Sequence, residues 1–123
     1  MRGGARGADG LLLIGHDRNP AIYEYLARQR VPAVAAWSYL PAGAIPSIGF
    51  DNRQAMFELT HEVLVAGHRE IAMISGVVQG NDRAQARLDG VRAAMLAQGL
   101  DVAGLTLIET PYEIENGADA FAT

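Results

Sequence analysis

The chain has 123 residues, of which half are hydrophobic and a fifth are charged, as expected of one globular domain or parts of two. It has no cysteine, its ten basic residues are all arginine, and its formal net charge is −4. These features argue against disulfides, thiolate metal sites and a nucleic-acid surface within this chain. No apolar run approaches the ~18 residues that span a bilayer, and MRGGARGADG has no apolar leader, so we expect a cytoplasmic protein with no membrane partner.

The first predicted elements are a strand, a helix and a second strand. The apolar residues 11–14 predict a buried parallel strand. Asn19 as N-cap and Pro20 at the first helical position predict a helix that ends near Arg30. The residues of this helix that we expect to face the sheet are Ile22, Tyr25 and Leu26. Residues 31–36 predict the next strand, and a loop rich in proline and glycine follows it.

Residues 47–76 form the clearest stretch and predict strand, helix and strand. The first strand covers residues 47–50, and Asp51 with Gln54 resembles a capping box that starts the helix. Gly67 ends that helix. Its expected buried stripe consists of Met56, Leu59 and Val63. The apolar run 71–74 predicts a strand covered on both faces, so this stretch is interpreted as a βαβ unit of a parallel sheet.

The last part of the chain repeats this alternation. Asp82 with Gln85 predicts the start of a helix that Gly99 ends. Its expected stripe is Ala84, Leu88, Val91 and Met95. Residues 105–108 predict a strand, and a helix follows from Glu113. The whole pattern predicts an α/β fold with a doubly wound, Rossmann-like parallel sheet.

Several side chains follow predicted strands, at the sheet edge where ligands of such folds bind. They are His16, Trp37, Phe50, the loop 75–81 that ends in Asn81, and Tyr112. The three aromatic residues suit a sugar, whose C–H faces stack on rings while its hydroxyls form hydrogen bonds at the rim. Packing within the core is the alternative for each ring. His61 and His68 have no spacing suited to a metal and are read as surface or capping residues.

Two arginines follow the glycine-bearing loop SGVVQGND. Arg83 and Arg87 are four residues apart and so share one helix face. They either pair with Asp82 or Asp89 or offer two parallel hydrogen bonds to a diol or carboxylate. The loop matches no phosphate-binding motif, and a turn that serves the helix start explains it better. No nucleophile, base or carboxylate pair is arranged for catalysis, so we do not expect an enzyme.

The order and spacing of five segments resemble a known family. The segments are GADGLLLIG, RVPAV, PSIGFDN, EVLVAGHREIAMISG and NDRAQARLDGVRAAMLAQGL. Together they resemble the effector-binding region of LacI/GalR-type bacterial transcriptional repressors, which is related to periplasmic sugar-binding proteins. The resemblance implies two α/β subdomains around a cleft, with residues 1–50 in the N-terminal and 51–123 in the C-terminal subdomain.

The resemblance also implies roles for individual residues. Arg87, three before Gly90, matches the effector-binding arginine of the family, and Tyr112 matches an aromatic residue that stacks on a sugar. Phe50 falls at a ligand contact beside the hinge. Trp37 replaces a polar ligand contact, and Arg83 stands where a small hydroxyl residue is common, so a copied sugar site is not expected. The predicted effector-binding residues are Arg87, Tyr112, Phe50, Trp37 and Asn81.

The chain corresponds to the middle of such a repressor. The helix-turn-helix that binds the operator, the first βα units and the final third of the family pattern have no counterpart in it. We therefore expect a fragment that senses a sugar or polyol, contacts DNA only through the missing head, needs no cofactor or metal, and forms a homodimer in the complete protein. A transporter's solute-binding protein and a small doubly wound enzyme are the alternatives. Open sheet edges should make the chain marginally stable.

Overall fold

The computed structural model describes residues 8–123. The prediction that the N-terminal segment MRGGARGADG has no apolar leader falls mostly on residues 1–7, which lie outside the described residues. Within residues 8–123 every strand pair is parallel and helices separate most of the strands, which confirms the α/β prediction. The chain divides into two compact units, one ending at Asp51 and the other comprising Asn52–Thr123. Each unit has a sheet of its own.

The sheet of the first unit has three strands in the order β1-β2-β3. The elements are β1 (Leu11–Ile14), α1 (Pro20–Arg28), β2 (Ala33–Ala36) and β3 (Ser47–Ile48). Leu11 lies opposite Ala33, and Ala35 lies opposite Ser47. The first βαβ unit of the chain is therefore β1-α1-β2.

The start of α1 agrees with its sequence signals, whereas its end does not. The Asn19 side chain accepts a hydrogen bond from the Ala21 N–H at 3.0 Å, and Pro20 is the first helical residue, as predicted. The helix stops at Arg28, because Arg30 adopts a left-handed φ of 54° that turns the chain toward β2. Leu26 is buried as expected, but Ile22 is 43% exposed, so its predicted packing on the sheet is wrong.

The prediction that residues 11–14 form a buried strand is only partly right. Leu12 is 71% exposed and Ile14 is 48% exposed, whereas Leu11 and Leu13 are half-buried. Successive side chains of a strand point to opposite faces, so this alternation means that only one face of β1 is packed within the unit.

The second unit contains the longer helices. Its elements are α2 (Asn52–Val65), β4 (Ala72–Ser75), α3 (Asp82–Ala97), β5 (Thr106–Glu109) and α4 (Ile114–Ala122), with a 3₁₀ turn at Val102–Gly104. Strands β4 and β5 pair in parallel with Ala72 opposite Thr106. The second βαβ unit is therefore β4-α3-β5.

The interpretation of residues 47–76 as one βαβ unit is wrong. The strand, helix and strand are present, but β3 belongs to the three-stranded sheet and β4 to the two-stranded sheet. The helix α2 thus begins where the chain leaves one unit for the other. In β4, Ala72 is exposed and Ile74 is 42% exposed, so the expected cover on both faces is absent as well.

Helices α2 and α3 pack together to form the core of the second unit. The buried cluster consists of Leu64, Val91, Ala94 and Met95. The predicted stripe of α3 is confirmed, since Ala84, Leu88, Val91 and Met95 are all buried. A Cβ at Gly90 would overlap the carbonyl oxygen of Arg53, so glycine at this position permits a close approach of the two backbones.

That close approach sets which face of α2 is buried. Arg53 and Phe57 lie against Gly90, and Thr60 and Leu64 continue the same face and are buried. Of the predicted stripe of α2, Met56 packs against the core, but the prediction is wrong for Leu59 and Val63, which are 58% and 37% exposed. The two side chains instead line an open groove of about 440 Å³ beside β4.

The helix ends of this unit follow glycine, as predicted. Gly67 after α2 and Gly99 after α3 have left-handed φ angles of 105° and 74°. The predicted N-cap of α3 is wrong by one residue, because Asn81, and not Asp82, accepts the hydrogen bond from the Ala84 N–H at 3.1 Å. The side chain of Gln85 donates to Asp89 further along the helix.

Candidate functional site

Arg87 lies in the second turn of α3 and is held by a buried amide. Its Nε donates to the Oδ1 atom of Asn52 at 3.1 Å. Asn52 is the first residue of α2 and only 4% exposed. Within residues 8–123, the terminal nitrogens Nη1 and Nη2 of Arg87 make no hydrogen bond. The guanidinium is partly buried, and Nη1 and Nη2 can therefore donate two parallel hydrogen bonds to a bound ligand.

Arg83 behaves differently from Arg87. Its Nη1 lies 3.1 Å from the Oδ1 of Asp82, which is the pairing expected of a surface arginine. Asp89, the other acidic candidate, accepts a hydrogen bond from Gln85 at 2.8 Å. Of the two arginines, Arg83 pairs with an acidic residue of its own helix, whereas the hydrogen bond of Arg87 goes to α2.

Asn81 and Tyr112 meet at the carboxyl ends of β4 and β5. The Nδ2 of Asn81 donates to the hydroxyl of Tyr112 at 3.3 Å, while its Oδ1 caps α3. The ring of Tyr112 lies over Gly76, where any Cβ would overlap it. Tyr112 is nevertheless 66% exposed. The ring therefore has two fixed contacts while most of the residue stays exposed to solvent.

An open hollow of about 420 Å³ lies beside this ring. Ser75 and Gly76 line it from the end of β4, and Thr110 and Tyr112 line it from the end of β5. Arg87 is not among its lining residues. The second unit thus brings Asn81 and Tyr112 into contact, while Arg87 is held separately against α2.

Trp37 and Phe50 belong to the first unit and follow the neighbouring strands β2 and β3. The Trp37 N–H donates to the Ile48 carbonyl at 2.8 Å, and the Tyr39 N–H donates to the Phe50 carbonyl at 3.2 Å. Trp37 is 64% and Phe50 is 60% exposed, so core packing does not account for either ring. A Cβ at Gly49 would lie 2.6 Å from the Ser38 nitrogen, so glycine is needed where these two segments pass each other.

The loop after β1 is closed by a residue that sequence reasoning missed. Arg18 donates to the carbonyls of Gly15 at 3.0 Å and Ile14 at 2.9 Å, and also to the Tyr23 hydroxyl at 2.7 Å. The Tyr23 hydroxyl in turn donates to the His16 carbonyl, and the His16 ring nitrogen Nε2 lies 2.9 Å from the Ser38 carbonyl. These contacts give His16 a structural role in shaping the loop.

Asn52 was also missed as a site residue. It stands in the segment PSIGFDN, but its partner Arg87 is 35 residues away, so no local pattern connects them. Within the described residues, no three His, Cys, Asp or Glu side chains form a metal-binding group. The same part of the chain has no helix with the length and apolar character needed to cross a membrane.

Comparison with known proteins gives the family. Residues 4–123 match the model described as periplasmic binding proteins and sugar binding domain of LacI family. The chain belongs to this family. Catabolite control protein A of Priestia megaterium is 28% identical over 112 residues, which cover 91% of this chain and 34% of that protein. The chain thus spans about a third of the length of the curated relatives it matches.

Solved structures of the LacI family share the fold. A LacI family transcriptional regulator from Silicibacter pomeroyi superposes with a TM-score of 0.78 at 26% identity, covering 94% of this chain and 43% of that one. The transcriptional regulator CelR, solved as a complex with cellobiose, gives a TM-score of 0.73 at 26% identity and covers 96% and 36%. These relatives are transcriptional regulators, and the predicted LacI/GalR-type family and periplasmic-binding-protein-like fold are confirmed.

Proposed function

We propose that this chain is the effector-sensing part of a LacI-type transcriptional regulator and that its effector is a sugar or polyol. The first unit is assigned to the N-terminal and the second to the C-terminal effector-binding subdomain. In the complete regulator, a helix-turn-helix domain would bind the operator, two copies would form a homodimer, and the protein would act in the cytoplasm. The net charge of −4 supports a chain that leaves DNA contact to another domain.

Arg87 carries this proposal. A partly buried guanidinium whose Nε is bound and whose terminal nitrogens make no hydrogen bond within residues 8–123 suits two neighbouring oxygens of a ligand. A vicinal diol of a sugar supplies such a pair. The solved complex of CelR with cellobiose shows a sugar ligand in a relative of the same fold.

The exposed aromatic rings support the same class of ligand. In the second unit, Tyr112 is fixed by Gly76 and Asn81, and in the first unit Trp37 and Phe50 present exposed rings after adjacent strands. Ring faces stack on the C–H faces of sugars, whereas amide and guanidinium groups bind their hydroxyls. We therefore propose Arg87, Asn81, Tyr112, Trp37 and Phe50 as effector contacts.

The test is sugar binding by this chain and by two arginine variants. Isothermal titration would be run with a panel of monosaccharides, disaccharides and alditols that includes cellobiose and ribose. We expect at least one of them to bind and Arg87→Ala to weaken it by at least about tenfold, because hydrogen bonds to charged groups contribute roughly 1.5–3 kcal/mol.

Arg92→Ala is the matched control, since Arg92 lies on the same helix and is exposed. It should bind the same sugar with unchanged affinity. Equal affinity of the Arg87→Ala variant and the unsubstituted chain, or no binding by any member of the panel, would contradict the proposed function.

A further inference from the structure

Asn52 stands at a junction between two helices. It is the first residue of α2, and its side-chain oxygen crosses to Arg87 on α3. The next residue, Arg53, places its carbonyl against Gly90, one turn further along α3. Two consecutive residues of α2 thus contact α3 at positions 87 and 90, which fixes the start of α2 against the second and third turns of α3.

We propose that Asn52 is a positioning residue that orients the guanidinium of Arg87 for the effector. This inference rests on the proposed function of Arg87 and adds a residue that has no ligand contact of its own. Arginine has many rotamers, and ordering it at the moment of binding costs affinity. A buried acceptor on Nε fixes the plane of the guanidinium before the ligand arrives.

The chemistry of the amide matters as well as its place. A guanidinium can bind two oxygens through Nε and one Nη, or end-on through Nη1 and Nη2. Because Nε is already bound to Asn52, only the end-on pair is left for the ligand. Asn52 is also neutral, so it orders Arg87 without cancelling its charge. The geometry therefore points to end-on recognition of two adjacent oxygens.

The first measurement follows the order of the Arg87 side chain by NMR in the 123-residue chain. The Nε–Hε signal of Arg87 is assigned by its loss in Arg87→Lys, and its ¹⁵N heteronuclear NOE is compared with that of exposed Arg92. We expect a value near that of the helix backbone for Arg87 and a much lower one for Arg92. Equal values for the two arginines in the unsubstituted chain would overturn the inference without any variant of Asn52.

Three variants separate positioning from stability. Asn52→Leu removes the acceptor at similar volume and should lower the Arg87 NOE to the level of Arg92. Asn52→Asp keeps an acceptor and should keep the NOE high. Leu64→Ala, in the buried core on the same helix, should lower the melting temperature but leave the Arg87 NOE unchanged. The positioning role would be contradicted if the Arg87 NOE stayed high in Asn52→Leu, or if Leu64→Ala lowered it as much as Asn52→Leu does.

Sugar titration then links the positioning to function. For a sugar that the unsubstituted chain binds, Asn52→Leu should weaken binding by about threefold to tenfold, the cost of ordering one long side chain. An affinity that Asn52→Leu leaves unchanged would overturn the link between Asn52 and the effector. A high, Asn52-dependent NOE in a chain that binds no sugar would contradict the proposed function but uphold the ordering of Arg87 by Asn52.

Discussion

At the scale of single residues, Trp37 has an unusual backbone. Its φ of 75° is left-handed, a conformation in which the Cβ of any residue but glycine is strained. The strain is located at the carboxyl end of β2, beside an exposed ring for which we propose a ligand contact. Strain of this kind, of about 1–3 kcal/mol, is typical of functional positions.

Two substitutions at Trp37 isolate this strain. Trp37→Gly should be more stable than Trp37→Ala by about 1 kcal/mol, because both remove the ring but only glycine removes the Cβ. Urea unfolding can be followed by tyrosine emission once the only tryptophan is gone, since Tyr23, Tyr25 and Tyr39 lie in the first unit. If the alanine variant is the more stable, the left-handed conformation of Trp37 carries no strain.

Gly90 supports a second prediction at the same scale. Gly90→Ala should destabilise the second unit by about 1–3 kcal/mol, because its Cβ would overlap the Arg53 carbonyl and force α2 and α3 apart. Gly117→Ala is the control, since Gly117 lies in α4 with nothing within 4 Å of an added Cβ. That change should be neutral or stabilising by roughly 0.5–1 kcal/mol. Far-UV circular dichroism in urea measures both, and equal effects would disprove the close helix contact.

At the scale of elements, Asn81 has two tasks that substitution can separate. Asn81→Ala should destabilise α3 by about 1 kcal/mol, because the Ala84 N–H loses its acceptor. Asn81→Ser restores an acceptor and should recover most of that stability, but it cannot donate an amide N–H to Tyr112. Thermal unfolding of the two variants measures the capping role, and sugar titration measures the role of the amide donor. Full recovery of sugar affinity in Asn81→Ser would exclude a role for the amide donor.

The helices show what the sequence could predict and what it could not. Caps and glycine ends act within a few residues, so Asn19, Gly67 and Gly99 were recognised from local pattern. The buried face of α3 follows its hydrophobic period and was also predicted. The buried face of α2 was predicted only in part, because Leu59 and Val63 fit the same period as Met56 while the contact at Gly90 selects another face.

The limits of the strands and the contact between Asn52 and Arg87 also depend on residues far apart in the sequence. The predicted strands 71–74 and 105–108 are both one residue too early, since their pairing places Ala72–Ser75 against Thr106–Glu109. The sequence indicated Arg87 through its resemblance to a family motif. It could not indicate Asn52, because a hydrogen bond across 35 residues exists only once both helices have packed.

At the scale of the whole molecule, the two units differ in the size of their cores. Among residues 8–51 of the first unit, the buried hydrophobic residues are Leu26, Ala33 and Ala35, which contribute little apolar area. The second unit buries Leu64, Leu88, Val91 and Met95, among others. We therefore expect the first unit to unfold at a lower urea concentration than the second.

Two probes report on the units separately. Trp37, the only tryptophan, lies in the first unit, and the long helices α2 and α3 dominate the circular dichroism from the second. Met95→Ala should lower the stability seen by circular dichroism by about 2–5 kcal/mol and leave the fluorescence midpoint of Trp37 in place. Coincident midpoints that move together in Met95→Ala would mean that the chain unfolds as one cooperative body.

The short motif R-x-x-G on α3 contains two residues that are required for different reasons. Arg87 is the residue that we propose binds the effector, whereas Gly90 is small so that another helix can approach. A genetic screen that scores only gene regulation would rank both positions as equally intolerant. A screen that also scores protein abundance would separate them, because variants of Gly90 would be lost from the cell while variants of Arg87 accumulated in a form that no longer responds.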